Sequence, residues 1–257
     1  MENLILGLDI GTTKVAVVVL EATGNQLYVK SWHHEADISC SDNYSEQSVK
    51  VLLDAVKKIV CQIPQNLKKQ LKAVGVTGQM HGIILLDQYK EPLSPLITWQ
   101  DKRCSEAFLE QLNSKTKHTL KSGYGAATLA WFYAMKKDIL DVRFTSTIAD
   151  YAVSRLCNLE NIVTDPTNAA SWGLFDLSTL DWDINAVNNA GFPPTVLPQV
   201  LPCGTKAGKI SESTSKELGI PFGIPVAVAI GDNQAAVFAV LQEPERLHPR
   251  AYPRTAR

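Results

Sequence analysis

Within its first 33 residues the chain sets out three apolar runs in succession, at positions 4–9, 15–20 and 27–32. Gly11-Thr12-Thr13 separates the first two, and Gly24-Asn25 the second from the third. That spacing predicts an antiparallel three-strand meander with a small polar first turn. A meander of this kind must cover one face, so the elements after it decide the fold class.

Beyond the meander, helix and strand alternate. Asn43 reads as a helix N-cap with Glu46 three residues on. Val49, Leu52, Leu53, Val56, Ile59 and Val60 form the apolar stripe of an amphipathic helix, and Lys57 and Lys58 suit its C-terminal dipole. Residues 73–77 read as a strand, 78–82 as a loop, 83–87 and 96–99 as further strands, and 105–112 as a helix. Helical spacing recurs over 126–137 and 147–156. Residues 164–182, rich in Asp, Asn, Ser and Thr, read as an ordered loop region, and proline-rich 192–202 as irregular. A β-branched strand over 224–230 ends in Gly231-Asp232-Asn233, and a helix continues to residue 241.

The pattern is α/β, and 45% hydrophobic residues among 257 are ample for a core. A net charge of −1 supplies no basic field for nucleic acid. Five scattered cysteines (Cys40, Cys61, Cys104, Cys157 and Cys203) form no CxxC pair, which suits reduced thiols in the cytoplasm. The N-terminal apolar run is broken by Asp9 and reads as a strand, not a signal peptide. No stretch reaches the roughly 20 apolar residues of a membrane span. Residues 242–257 carry Pro244, Pro249 and Pro253 among Arg246, Arg250, Arg254 and Arg257, and read as a disordered tail after a domain at 1–241. Oligomeric state leaves no trace in the sequence.

Four short segments carry groups suited to chemistry. In Asp9-Ile10-Gly11-Thr12-Thr13-Lys14, the glycine lets backbone approach a phosphate, the threonine hydroxyls and turn N–H groups can receive its oxygens, and Asp9 can hold Mg²⁺. The same string also serves as a plain hairpin with polar turn residues. Gly78-Gln79-Met80-His81-Gly82 presents polar side chains on a loop after a buried strand, where α/β proteins hold ligands; a structural turn with a satisfied histidine has the same signature. His33 and His34 read as structural. Trp99-Gln100-Asp101-Lys102-Arg103 offers an apolar wall with hydrogen-bonding partners, or a salt-bridged surface turn. Asp232 stands at a strand's end and a helix's start, which suits a general base and a helix N-cap equally. There is no GxxxxGK[ST] and no GxGxxG.

Taken in this order over residues 4–240, the four segments resemble the FGGY carbohydrate kinases, which share the ribonuclease-H-like fold of actin and hexokinase. The resemblance implies a mixed five-stranded sheet flanked by helices. It implies Asp9 beside Mg²⁺; Gly11, Thr12 and Thr13 facing the γ-phosphate of ATP; Met80, His81, Trp99, Asp101, Arg103 and Asn233 around the sugar; and Asp232 as catalytic base. The strings 97–105, 122–128 and 168–173 look most like family members acting on sedoheptulose, with xylulose the alternative ketose. Lys102 stands where the resemblance leads one to expect glycine.

Family members have a second domain that carries the adenine site, and nothing after residue 240 resembles it. The resemblance therefore implies a truncated form with negligible kinase activity by itself. A non-catalytic sugar-binding or regulatory module is the competing expectation.

Overall fold

The computed structural model describes residues 3–38, 43–137 and 139–241. The meander forms as its spacing predicts: β1 (Leu4–Ile10), β2 (Lys14–Glu21) and β3 (Gln26–His33) pair antiparallel in sequence. Two short strands, β4 (Asp37–Ile38) and β5 (Glu46–Gln47), precede helix α1 (Val49–Cys61). The cap of α1 is Ser48, whose side chain accepts the Val51 N–H, and not Asn43. Glu46 and Gln47 are taken up by β5, so the capping hydroxyl must lie at the next residue.

A short helix, α2 (Gln65–Lys68), leads into β6 (Leu71–Gly78), which runs parallel to β1. Beyond it come β7 (Ile84–Leu86), β8 (Leu96–Ile97), α3 (Glu106–Thr116), α4 (Gly125–Met135), β9 (Phe144–Ser146) and α5 (Ile148–Cys157). Ser105 and Thr147 cap α3 and α5 through their hydroxyls. The remaining elements are β10 (Val163–Thr164), α6 (Pro166–Trp172), β11 (Phe175–Asp176), β12 (Asp181–Trp182), α7 (Ile184–Ala190), β13 (Gln199–Val200), β14 (Lys206–Lys209), α8 (Glu212–Leu218), β15 (Pro225–Ala227), β16 (Ile230–Gly231) and α9 (Asp232–Leu241).

The main sheet runs β14-β15-β6-β1-β2-β3, with β16 also on β6. It has seven strands where the resemblance implied five. The two additions have separate causes. The expected strand at 224–230 is interrupted, so that β15 and β16 pair with β6 as two pieces, and β14 adds an antiparallel edge. The expected loop region at 164–182 also proves more ordered: it holds α6, started by an Asp165 cap and Pro166 in the first turn, and the β11–β12 hairpin. Seven-residue elements such as α6 are too short to show a helical period.

Two hydrophobic cores result. One packs α1 and α5 against the sheet through Leu6, Ile10, Leu52, Ile59, Val76 and Tyr151. The other gathers α3, α4, α6 and α7 around Leu112, Leu129, Phe132, Trp172 and Val187. β7 and the residue before it join them: Ile84 and Leu86 enter the first core, Ile83 and Leu85 the second, as alternating side chains of extended chain must. The loop 79–82 between β6 and β7 therefore lies where the two cores meet. Among the described residues no helix is long and apolar enough to cross a membrane. The tail at 242–257 and Cys40 lie outside the described residues.

Candidate functional site

Sheet register brings the first, second and fourth segments together. Ile10 pairs with Gly78 and Gly78 with Gly231 across three parallel strands. The residues after that row, Gly11, Gln79 and Asp232, therefore leave the sheet at one end, the carboxyl end of parallel strands where α/β proteins hold ligands. There an open cleft of about 700 Å³ is lined by Thr12, Met80, His81, Trp99, Asp232 and Asn233.

Asp9 points away from the core face of β1 that holds Leu8 and Ile10. Its Oδ1 is buried without a hydrogen-bond partner. Burial raises the Asp9 carboxyl above its ordinary value, the negative Asp232 raises it further, and Lys14 offsets part of the shift. Two carboxylates 223 positions apart in sequence thus come within electrostatic reach of each other. A buried, unpartnered carboxylate oxygen is a hard ligand of the type a magnesium ion takes. Among the described residues no group of three or more His, Cys, Asp or Glu could hold a metal ion.

The hairpin turn is held from below. His34 is buried, and its Nδ1 accepts the Ala36 N–H at 3.1 Å. In the neutral ring Nε2 is then the donor, and it meets the Gly11 carbonyl at 3.2 Å. Thr13 is exposed and accepts the His34 N–H through its carbonyl. A further network fixes Thr12. Its hydroxyl accepts the Trp99 Nε1–H at 3.1 Å, and its carbonyl accepts from Gln47 Nε2 at 2.7 Å. Gln79 Nε2 donates in turn to Gln47 Oε1 at 2.8 Å. Gln47 and Gln79 are both buried and couple the β1–β2 turn to the cleft wall. The sequence motif reads Gln79 as a polar side chain offered to a ligand, whereas the structure buries it against Gln47, which carries no local sequence signal.

His81 adopts φ +67°, a left-handed conformation that costs energy in a non-glycine residue. Ser171 holds it there: His81 N–H donates to the Ser171 hydroxyl at 3.1 Å, and Nδ1 meets the Ser171 carbonyl at 2.6 Å. A carbonyl can only accept, so Nδ1 carries the proton and the neutral ring keeps Nε2 as an acceptor. The ring stacks on Tyr124 at 4.9 Å. Met80 is fixed differently, lying over Gly231, where an added Cβ would come within 2.6 Å of its sulfur.

Asp101 and Arg103 do not line the cleft. They form a buried fork in which Arg103 Nε donates to Asp101 Oδ1 at 2.8 Å and an Arg103 terminal nitrogen reaches Asp101 Oδ2 (2.9 Å) and Glu46 (2.6 Å). Asp101 Oδ2 also accepts the Ser45 N–H. Burial alone would lower the Arg103 pKa, but the Asp101 and Glu46 partners more than offset it. Their work is to hold the turn that presents Trp99, so the surface salt-bridged reading of this turn gives way to a buried one. Lys102 is exposed beside them.

Three tethers set Asp232. The Asn168 amide donates to the Ala229 carbonyl (3.3 Å), the Thr77 hydroxyl to the Ile230 carbonyl (2.8 Å), and the Gly231 N–H to the Thr167 hydroxyl (2.8 Å). The Asp232 carboxylate accepts the Asn233 N–H at 2.7 Å.

The sequence profile of the FGGY family of carbohydrate kinases, N-terminal domain, matches residues 4–239. The sedoheptulokinases of Mus musculus and Homo sapiens are each 30% identical to this chain, over 92% and 93% of it and 54% and 55% of their own lengths. The structure superposes on a ligand-bound xylulose kinase from Lactobacillus acidophilus with a TM-score of 0.81 at 24% identity, over 93% of this chain and 50% of that one. This likeness, with the sheet order, bears out the ribonuclease-H-like fold. The chain spans about half the length of the curated relatives it matches.

Proposed function

Since this chain belongs to the FGGY family of carbohydrate kinases, we propose that it supplies the sugar-binding half of an ATP-dependent ketose phosphorylation, with sedoheptulose as the sugar. The observation that carries the reading is the meeting of Asp9, Thr12, His81 and Asp232 at one end of the parallel strands. In this scheme Asp232 accepts the proton of a primary hydroxyl as that oxygen attacks the γ-phosphorus and the bond to the β,γ-bridging oxygen breaks, releasing ADP. His81 Nε2 and Asn233 bond sugar hydroxyls, and Trp99 and Met80 cover its C–H face. Gly11, Thr12 and Thr13 receive phosphate oxygens through N–H and hydroxyl groups. Asp101 and Arg103 act on the sugar only through Trp99. Asp9 would hold the magnesium ion, which when bound supplies neutralisation of phosphate charge. Catalysis of this type is mostly positioning and electrostatics.

Sedoheptulose at about 100 times its Kd should add roughly 2.7 kcal/mol to stability, a rise in Tm of roughly 5–10 °C for a domain of this size. A melt of the purified chain against sedoheptulose, xylulose, gluconate and glycerol reads this directly. A shift with sedoheptulose alone supports the assignment, and a shift with xylulose alone moves the substrate. No shift with any of the four overturns the sugar reading of the cleft. Ketose-dependent ADP release that survives Asp232→Asn would remove Asp232 as the base.

A further inference from the structure

His34 and Gln47 are absent from the cleft wall and belong to none of the four segments suited to chemistry. Both are buried beneath the β1–β2 turn, with exposures of 5% and 1%. Between them they engage every carbonyl of that turn. His34 Nε2 donates to the Gly11 carbonyl at 3.2 Å, Gln47 Nε2 to the Thr12 carbonyl at 2.7 Å, and the His34 backbone N–H to the Thr13 carbonyl at 3.4 Å. Three successive carbonyls are thus drawn toward buried groups.

In a trans peptide the C=O and the N–H that follows it point in opposite directions. Drawing the Gly11 and Thr12 carbonyls inward therefore turns the N–H groups of Thr12 and Thr13 outward. Among the described residues neither of these N–H groups donates to a protein acceptor. Thr12 lines the cleft, and Thr13 is exposed beside it. The Thr12 hydroxyl is a third donor. Its oxygen accepts the Trp99 Nε1–H, and its own proton reaches Gln79 Oε1 at 3.5 Å, long for an O–H···O bond. Successive outward N–H groups with a hydroxyl beside them suit the oxygens of a tetrahedral anion.

We propose that, with this turn read as the phosphate end of the cleft, His34 and Gln47 are positioning residues of phosphoryl transfer. They fix two peptide planes so that the Thr12 and Thr13 N–H groups meet the oxygens of the phosphoryl group. Donors set in advance need no reorganisation when charge develops on those oxygens.

Neither side chain is free to turn the other way. Gln47 Nε2 also donates to Asp37 Oδ1 at 2.8 Å, and Gln47 Oε1 accepts from Gln79 Nε2 at 2.8 Å. The Thr12 carbonyl can only accept, and so can an Asp37 carboxylate, so a flipped amide would set its oxygen against two acceptors. His34 Nδ1 accepts the Ala36 N–H at 3.1 Å, which keeps the ring proton on Nε2. Each group that aims the turn is thus locked by a bond outside it.

Two substitutions separate the bonds of the His34 ring. In His34→Gln the amide nitrogen extends about as far as Nε2 and keeps the Gly11 tether. In His34→Asn the side-chain oxygen stands near the place of Nδ1 and keeps only the Ala36 bond. A role confined to holding β4 and β5 on the meander would not favour the glutamine, whereas aiming the turn requires it.

The full chain, labelled with ¹⁵N, should be titrated with inorganic phosphate at ionic strength held constant with chloride, and the Thr12 and Thr13 amide resonances followed. In wild type both should move together with phosphate. His34→Gln should keep most of that response. His34→Asn and Gln47→Leu should show an initial slope roughly five- to tenfold shallower, as for one lost hydrogen bond. A wild-type response that all three variants retain, or that His34→Gln and His34→Asn lose equally, overturns the positioning role and leaves the phosphate reading of the turn intact. No response at Thr12 and Thr13 in wild type overturns both. Should one variant not fold, the others are compared with wild type by the same rule. The sugar assignment is tested separately, because this titration contains no sugar and needs no turnover.

Discussion

Arg103→Ala is expected to destabilise the protein by about 3–5 kcal/mol, the usual consequence of removing one partner from a buried ion pair. For a domain of this size the melting midpoint falls by roughly 6–20 °C. The side chain of Arg103 is 3% exposed and that of Asp101 0%, so water cannot replace the lost partner of Asp101. Glu46, 22% exposed, is left partly compensated by solvent. The guanidinium also lies against the Tyr44 ring at 4.8 Å and the Phe132 ring at 5.3 Å, contacts that alanine forfeits. Arg103→Lys keeps the charge but not the forked geometry that reaches Asp101 and Glu46 together, so it should fall between wild type and alanine. Urea unfolding of the three chains measures the series. An alanine variant within about 1 kcal/mol of wild type, the range of an exposed pair, would show the fork to be dispensable. Loss of stability with an unchanged sedoheptulose-induced shift would show that Trp99 does not depend on it.

The contrast between what the sequence disclosed and what it concealed has a physical pattern. The meander, α1, α5 and the order of the four segments were legible because each rests on a period or turn signal within about a dozen residues. Asp101 and Arg103 were readable as a pair two residues apart, but not as a buried one. Their burial depends on Glu46 and on the aromatic side chains of Tyr44 and Phe132, which arrive from distant elements. The break in the strand over 224–230 was invisible for the same reason. Its released backbone groups are taken by Asn168, Thr77 and Thr167, more than 60 residues away, and a β-branched run reads as continuous until those partners are known. The left-handed backbone of His81 is likewise set by Ser171 and not by its neighbours in sequence. Motif reading thus found Thr12, Met80, His81, Trp99, Asp232 and Asn233 in the cleft wall, but not Thr167 and Ser171 beside them, and it placed Asp101 and Arg103 in the pocket and not beneath it.

Gly123→Ala is the sharpest test of that distinction, because it alters no group that could touch a ligand. Gly123 has φ +84°, and an added Cβ would come 2.0 Å from the Trp99 carbonyl oxygen and 2.7 Å from its carbon. Both are backbone atoms, so no rotamer change relieves the clash. Left-handed backbone costs an alanine about 1–2 kcal/mol, and forced overpacking about 1–3 more. A total loss of roughly 2–5 kcal/mol is expected from these two terms. Gly191→Ala is the control: its φ is +91°, but nothing lies within 4 Å of the added carbon. It carries the conformational cost alone.

The functional consequence should be larger than the stability loss suggests. Trp99 is bonded to Thr12 on one side of Gly123, and Tyr124, the next residue, is stacked on His81. Pushing Trp99 and residue 123 apart therefore shifts two walls of the cleft together. Gly191→Ala should keep the full sedoheptulose-induced rise in Tm, and Gly123→Ala should lose most of it even at temperatures where the chain is folded. If Gly123→Ala binds sedoheptulose as wild type does, the Trp99 wall is not part of the sugar site. If both variants lose the response equally, the cause is general destabilisation and not the geometry of the cleft.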